Sequence, residues 1–179
     1  SAHVLILGPS GTGKELVARA LHRLSKRSRP MVSRNAATIP ESLADAELFG
    51  NLANYPNPGM AARPGLVGEA DQSTLFLDEF GELPIALQAG GCSRRGAARP
   101  KRVDIRWVAA TNRTPNELKH DVLARMPLRL SLVGLTERPA DVTLRAFHLC
   151  RRIAKDEAEL ARRYFLDGDP GGYPRLDAA

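Results

Sequence analysis

The chain has 179 residues, the size of one domain or of one domain with part of a second. Hydrophobic residues make up 43% and charged residues 26%, which excludes a disordered or collagen-like chain, and no apolar run is long enough to span a bilayer. The balance of 26 Lys and Arg against 20 Asp and Glu, with few aromatics, argues against a base-stacking platform for single strands and favours a solvated basic surface with sites for phosphates.

Strand-like and helix-like runs alternate along the chain, the pattern of a parallel α/β sheet. Residues 3–7 (HVLIL) predict a first strand, followed by a glycine-rich turn and a helix over 14–26. Leu16, Val17, Ala20, Leu21 and Leu24 are predicted to share that helix's inner face. A weaker strand is predicted at 31–34, then a short helix opened by Pro40 with Leu43, Ala44 and Leu48 inward. Residues 51–65 hold Pro56, Pro58 and Pro64 and exclude a regular helix or central strand. Strands follow at 74–77 (TLFL), 103–110 (VDIRWVAA) and 128–133, and 90–102 reads as a Gly- and Arg-rich loop. Parallel strands are expected to be buried on both faces. From Asp141 the texture becomes helical, with Val142, Ala146, Leu149 and Ile153 in one stripe beside Phe147, Cys150 and Ala154. The predicted organisation is an α/β core over 1–139 and the beginning of a truncated helical subdomain over 140–179.

Chemistry concentrates at two places. Gly8-Pro9-Ser10-Gly11-Thr12-Gly13-Lys14 lies between a strand and an amphipathic helix, the context of a phosphate-binding loop. Glycines let backbone N–H groups converge on phosphates, the helix N-terminus adds its dipole, and Lys14 supplies a full charge. A glycine turn that binds nothing does not call for that lysine. Glu15 stands where the usual motif has the Ser or Thr that ligates magnesium, so magnesium must rely on other oxygens and water. Downstream, TLFL ends in Asp78 and Glu79. Neighbouring strand residues point to opposite sides, so the two acids take different roles: Asp78 toward magnesium, Glu79 as the base for an attacking water. This pair favours hydrolysis over phosphoryl transfer to a metabolite. His3, His22, His120 and His148 are scattered without metal-ligand spacing, and Cys92 and Cys150 cannot form a disulfide framework. No signal-peptide pattern opens the sequence, and a cytoplasmic protein is the simplest reading.

The segments GPSGTGKELVARALH, RNAATIPESLADAELFG, TLFLDEFGELP and VDIRWVAATNR, in this order, resemble the AAA+ ATPase domain of NtrC-like bacterial enhancer-binding proteins, the activators of sigma-54 RNA polymerase. The resemblance covers roughly 4–155. It implies a P-loop AAA+ fold with a five-stranded parallel sheet flanked by helices and the start of a helical lid. It further implies ATP and Mg2+ as ligands, a ring that is usually a hexamer, sigma-54 RNA polymerase holoenzyme as partner, and DNA bound by a separate domain. Glu15 is typical of that family. Asn35 matches the asparagine that pairs with the glutamate corresponding to Glu79, and a strand-end cap is the alternative role. Asn112 matches the asparagine that senses the γ-phosphate, with an ordinary turn residue as the alternative. Arg125 matches the second of two arginines offered across the subunit boundary, and Lys119 stands at the first; either is otherwise simply solvated.

The sequence departs from the pattern at two internal places. The family's GAFTGA loop, which contacts sigma-54, is replaced by Asn54-Tyr55-Pro56-Asn57-Pro58-Gly59. This substitution leaves open a regulatory nucleotide-binding module that no longer engages sigma-54. The loop is predicted to be exposed, non-helical and stiffened by its prolines. After Ala89 several residues of a long helix and a second pore loop are missing, and the expectation is a loop dropped from the sequence as written rather than a native deletion. A small P-loop kinase is a third reading, against which Glu79 and VAATN both count.

Overall fold

Five short strands pair into one parallel sheet whose order is β2-β3-β4-β1-β5. The computed structural model describes residues 2–54, 57–88 and 103–157, with 159 and 162. It separates into two units, Ser1–Leu132 and Val133–Ala179.

In the first unit the strands are β1 (Val4–Leu7), β2 (Val32–Asn35), β3 (Thr74–Asp78), β4 (Arg106–Thr111) and β5 (Leu128–Ser131). The helices are α1 (Lys14–Leu24), α2 (Ala44–Phe49), α3 (Gly65–Glu69), α4 (Ile85–Gln88) and α5 (His120–Arg125). Side chains alternate across each strand, so the sheet feeds two cores. Leu5, Leu7, Leu75, Leu77 and Ala109 pack on one face with Leu48, Phe49, Leu66 and Phe80. Val4, Ile6, Phe76, Val108 and Ala110 pack on the other with Ala18 of α1.

Central strands β1, β3 and β4 are largely buried, as their apolar runs require. The expectation of burial on both faces fails for β5 and for most of β2. Each has a single neighbour in the sheet and stands at an edge. The strand expected at 103–110 begins only at Arg106. Asp104 is drawn away by other partners: its N–H donates to Asp71 Oδ1 at 3.0 Å and its carboxylate pairs with Arg27 at 2.8 Å.

Two predicted helix faces are corrected. On α1 the inward positions are Lys14, Val17, Ala18 and Leu21, whereas Leu16 and Leu24 are 65% and 79% exposed and Ala20 is exposed as well. The phase of α1 is set where it starts, at the glycine loop, which turns Lys14 inward and so rotates the apolar stripe. Leu43 is 52% exposed because a 3₁₀ turn, Glu41–Leu43, precedes α2 and leaves Leu43 outside the helical phase that buries Ala44 and Leu48.

The loop between α2 and α3 is pinched at its neck. Asn51 and Arg63 exchange backbone hydrogen bonds of 3.1 and 3.0 Å, and the buried Asn51 amide donates to Ala61 O at 3.0 Å. Residues 57–63 are exposed and non-helical. Tyr55 and Pro56 lie outside the described residues, as does the stretch 89–102, which contains Cys92 and where missing residues are expected from the sequence.

The second unit contains α6 (Ala140–Asp156). The Arg151 guanidinium lies 5.1 Å from the centre of the Phe147 ring, a cation–π contact. Of the expected stripe, Val142, Leu149 and Ile153 each remain about half exposed. The sequence reading draws its boundary just ahead of this helix, at 139/140.

Candidate functional site

All five strands run parallel, so their carboxyl ends lie at one edge of the sheet, where open α/β sheets take their ligands. The register brings Asn35 level with Asp78, and Leu7 level with Thr111. Residues that follow those positions, Gly8, Glu79 and Asn112, therefore share the same edge.

Gly8, Gly11 and Gly13 have φ of 154°, 77° and 93°, so the loop uses backbone conformations that side chains disfavour. A Cβ at Gly8 would also lie 2.5 Å from the backbone oxygen of Leu132. Gly8 N–H donates to Thr111 O at 3.2 Å, which fastens the loop to β4. The buried Thr12 hydroxyl donates to Pro9 O at 2.9 Å. Lys14 is buried, and its Nζ donates to Gly8 O at 2.9 Å and Pro9 O at 3.1 Å. Its ammonium thus lies folded under the loop, on carbonyls that a strong anion can replace. Glu15 points elsewhere: it is exposed and pairs with Arg19 one turn on at 2.6 Å. That pairing offsets the like charge it would bring near phosphates.

Asp78 Oδ1 accepts the N–H of Glu79 at 2.9 Å. Asp78 is partly buried at the end of β3, and a carboxylate is a ligand type that suits a hard cation such as magnesium. Glu79 has φ 49°, a left-handed conformation that is uncommon outside glycine. Strain of this kind, roughly 1–3 kcal/mol, clusters at functional sites. A 3₁₀ turn, Phe80–Glu82, follows at once. Asn35 is exposed and its Oδ1 accepts the N–H of Ala37 at 2.9 Å, capping the turn Ala36–Thr38. The capping role is therefore present, and it occupies the carbonyl oxygen rather than the amide N–H groups.

Asn112 is exposed at the end of β4. The turn beyond it is closed by Glu117, whose carboxylate accepts both the N–H and the hydroxyl of Thr114 at 2.7 Å. Those hydrogen bonds, the backbone one first, hold the Glu117 carboxyl below the usual carboxylate range. Lys119 and Arg125 bracket α5, and both are exposed. Among the described residues neither makes a hydrogen bond or ion pair to the glycine loop 8–14.

Three residues passed over by the sequence reading, Arg113, Glu82 and Gln88, join this edge. Arg113 pairs with Glu82 at 2.7 Å, and the buried Gln88 amide donates to Gly81 O and Leu83 O at 3.2 and 2.7 Å. An arginine directly after Asn112 and an acid three residues after Glu79 were the available signals. Among the described residues no group of three or more His, Cys, Asp or Glu is placed to hold a metal, and no helix is long and apolar enough to cross a membrane.

This sheet order with its glycine loop and acid-ended strand is an AAA+-type α/β fold. The profile of the sigma-54 interaction domain matches residues 1–135, and the chain belongs to that family, the AAA+ domain of bacterial enhancer-binding activators. It is similar to the nitric oxide reductase transcription regulator NorR2 of Cupriavidus necator, 46% identical over 159 residues, which cover 80% of this chain and 30% of that protein. It is also similar to the anaerobic nitric oxide reductase transcription regulator NorR of Salmonella paratyphi C, 42% identical over 204 residues, covering 99% of this chain and 40% of that protein. The chain thus spans 30–40% of the length of these curated relatives. Among solved structures it resembles NtrX from Brucella abortus in complex with ADP, with TM-score 0.75 and 27% identity over 89% of this chain and 40% of that one. The ATP complex of the same protein gives 0.67 and 29%, over 90% of this chain and 39% of that one. A likeness in fold alone extends to Hsp104, with TM-score 0.57 and 15% identity over 91% of this chain and 32% of that one.

Proposed function

We propose that the chain binds ATP with magnesium and hydrolyses it, as the motor of a sigma-54-dependent transcription regulator that remodels RNA polymerase holoenzyme. The observation that carries this reading is the common edge at which the Gly8–Lys14 loop meets the ends of β2, β3 and β4. Backbone N–H groups of the loop, with Lys14, cradle the β- and γ-phosphates. Asp78 would hold magnesium directly or through water, and the ion would supply charge neutralisation for the bound phosphates. Glu79 accepts a proton from the attacking water. The side-chain amide of Asn112 hydrogen-bonds the γ-phosphate or that water. Asn35, level with Asp78, holds Glu79 back through its amide N–H groups until nucleotide arrives. Arg125 of a neighbouring subunit in a ring, by the family's pattern a hexamer, stabilises transition-state charge. The helix Ala140–Asp156 belongs to a helical lid, DNA is held by a separate domain, and the protein works in the cytoplasm. Support comes from the family and from relatives described as transcription regulators. NtrX, a structural neighbour, is solved with ADP and with ATP.

The test is phosphate release with nucleotide binding measured in parallel. Glu79→Gln should keep ATP binding and lose hydrolysis, and Lys14→Ala should lose affinity. Near-normal turnover in the first, or unchanged binding in the second, overturns the assignment.

A second reading rests on the exposed loop 57–63 and on its sequence: a regulatory module that no longer engages sigma-54. Capture of sigma-54 by the full chain with a transition-state analogue of ATP separates the two. Tight capture abolished by Tyr55→Ala favours the motor.

A further inference from the structure

We propose that Arg113 is a positioning residue that couples the Asn112 turn to Glu79, so that what is sensed at the end of β4 sets the pose of the base at the end of β3. The inference rests on the hydrolytic reading above.

A continuous path of contacts carries it. Thr111 is fully buried at the end of β4. Its carbonyl oxygen accepts Gly8 N–H at 3.2 Å, and its hydroxyl accepts Arg113 N–H at 3.1 Å. One residue therefore ties the phosphate loop to the start of the turn beyond Asn112. From there the Arg113 side chain crosses to the loop after β3. Its stem lies directly on the buried Gly81: a Cβ built there would fall 2.7 Å from Arg113 Cδ, 2.9 Å from its Nε and 3.0 Å from Thr111 Oγ1. Beyond Gly81 the guanidinium pairs with Glu82 at 2.7 Å.

The segment so gripped is the 3₁₀ turn that holds Glu79 in its left-handed conformation. Glu82 N–H donates to Glu79 O at 2.9 Å, closing that turn directly on Glu79. Gln88 also holds this segment, by donating to Gly81 O and Leu83 O. The turn is thus held both by the buried Gln88 and by the partly exposed Arg113. A shift of the Asn112 turn would move Arg113, and the contacts described lead from Arg113 to Glu79 through Gly81 and Glu82. The pair is partly exposed, so its value is geometric rather than a large contribution to stability. Position is what a general base requires, because a misplacement of about 1 Å can lower a rate about 100-fold.

The experiment measures kcat, KM and binding of a fluorescent ATP analogue for the full chain and for Arg113→Gln, Glu82→Gln and the exchanged pair Arg113→Glu with Glu82→Arg. Each single variant should lose about 10-fold or more in kcat, with analogue affinity within about 3-fold of the parent and an unchanged unfolding midpoint. The exchanged pair should recover part of that loss, and Arg113→Lys, which keeps the charge but not the fork, should fall between. Unchanged kcat in Arg113→Gln, or losses in kcat and affinity together, overturns the coupling. So do single losses that the exchange leaves unrepaired. Amide hydrogen exchange at 80–83 reads the coupling without turnover: ATP analogue should change it in the parent and not in Arg113→Gln. An equal response in both refutes the proposal even if the parent proves not to hydrolyse ATP, an outcome that sinks the hydrolytic reading separately.

Discussion

Gly50→Ala tests whether the neck of the loop between α2 and α3 is as tight as its geometry states. Gly50 has φ 76°, and a Cβ there would lie 2.0 Å from Arg63 O, 2.6 Å from Pro64 C and 2.8 Å from Gly65 N. All three are backbone atoms, and Arg63 O is itself held by the Asn51 N–H, so no flexible side chain can swing aside. The φ of 76° with ψ of −174° at Gly50 is an essentially glycine-only conformation that costs an L-residue about 1–3 kcal/mol. Displacing packed backbone adds about 1–3 kcal/mol. The expected total is about 2–6 kcal/mol, a large share of the roughly 5–15 kcal/mol that holds a domain folded. Gly59→Ala is the control. Its φ is 87°, nothing lies within 4 Å of its Cβ, and its expected loss is the backbone component alone. Urea unfolding followed by circular dichroism gives both values from the shift in midpoint. Equal losses in the two variants would show that the neck yields without resistance and would refute the close-contact argument.

Other expectations follow from the same geometry. Phe76→Ala empties a fully buried position between the sheet and α1, and should destabilise by about 3–5 kcal/mol in the same assay. His3 Nδ1 accepts Trp107 N–H at 3.2 Å, and burial, with the nearby Arg106 charge adding, pushes its imidazole below the ordinary value. The unfolded chain then takes up a proton at a higher pH than the folded one. Stability should therefore fall as pH drops from about 6.5 toward the lowered value, and His3→Gln should flatten that slope in unfolding measured across pH. Mixing Arg125→Ala with Glu79→Gln subunits should restore hydrolysis at about a quarter of the interfaces in a random ring, and no recovery in demonstrably mixed rings would argue against a finger acting in trans.

The backbone of the glycine loop was legible because its constraints are local. Glycines at 8, 11 and 13 and the lysine at 14 are dictated by neighbours within the same turn, and the strand before them and the helix after them follow from short-range periodicity. The acid pair ending TLFL was legible for the same reason. The alternation of strands and helices likewise determined a parallel α/β class, because parallel strands need crossovers. Other features depended on which elements became neighbours. Nothing local marks β5 as an edge strand with exposed residues, since that depends on β1 having β4 on its other side. The outward turn of Leu16 and Leu24 depended on the phase imposed by the glycine loop. Arg113 and Glu82 are 31 positions apart, and only the adjacency of β3 and β4 makes them a pair. Sequence therefore determined which groups carry charge and where the chain must bend, because those are properties of single residues and short turns. The tertiary structure decided which of those groups act on one another, because strand order and register set distances that no local pattern encodes.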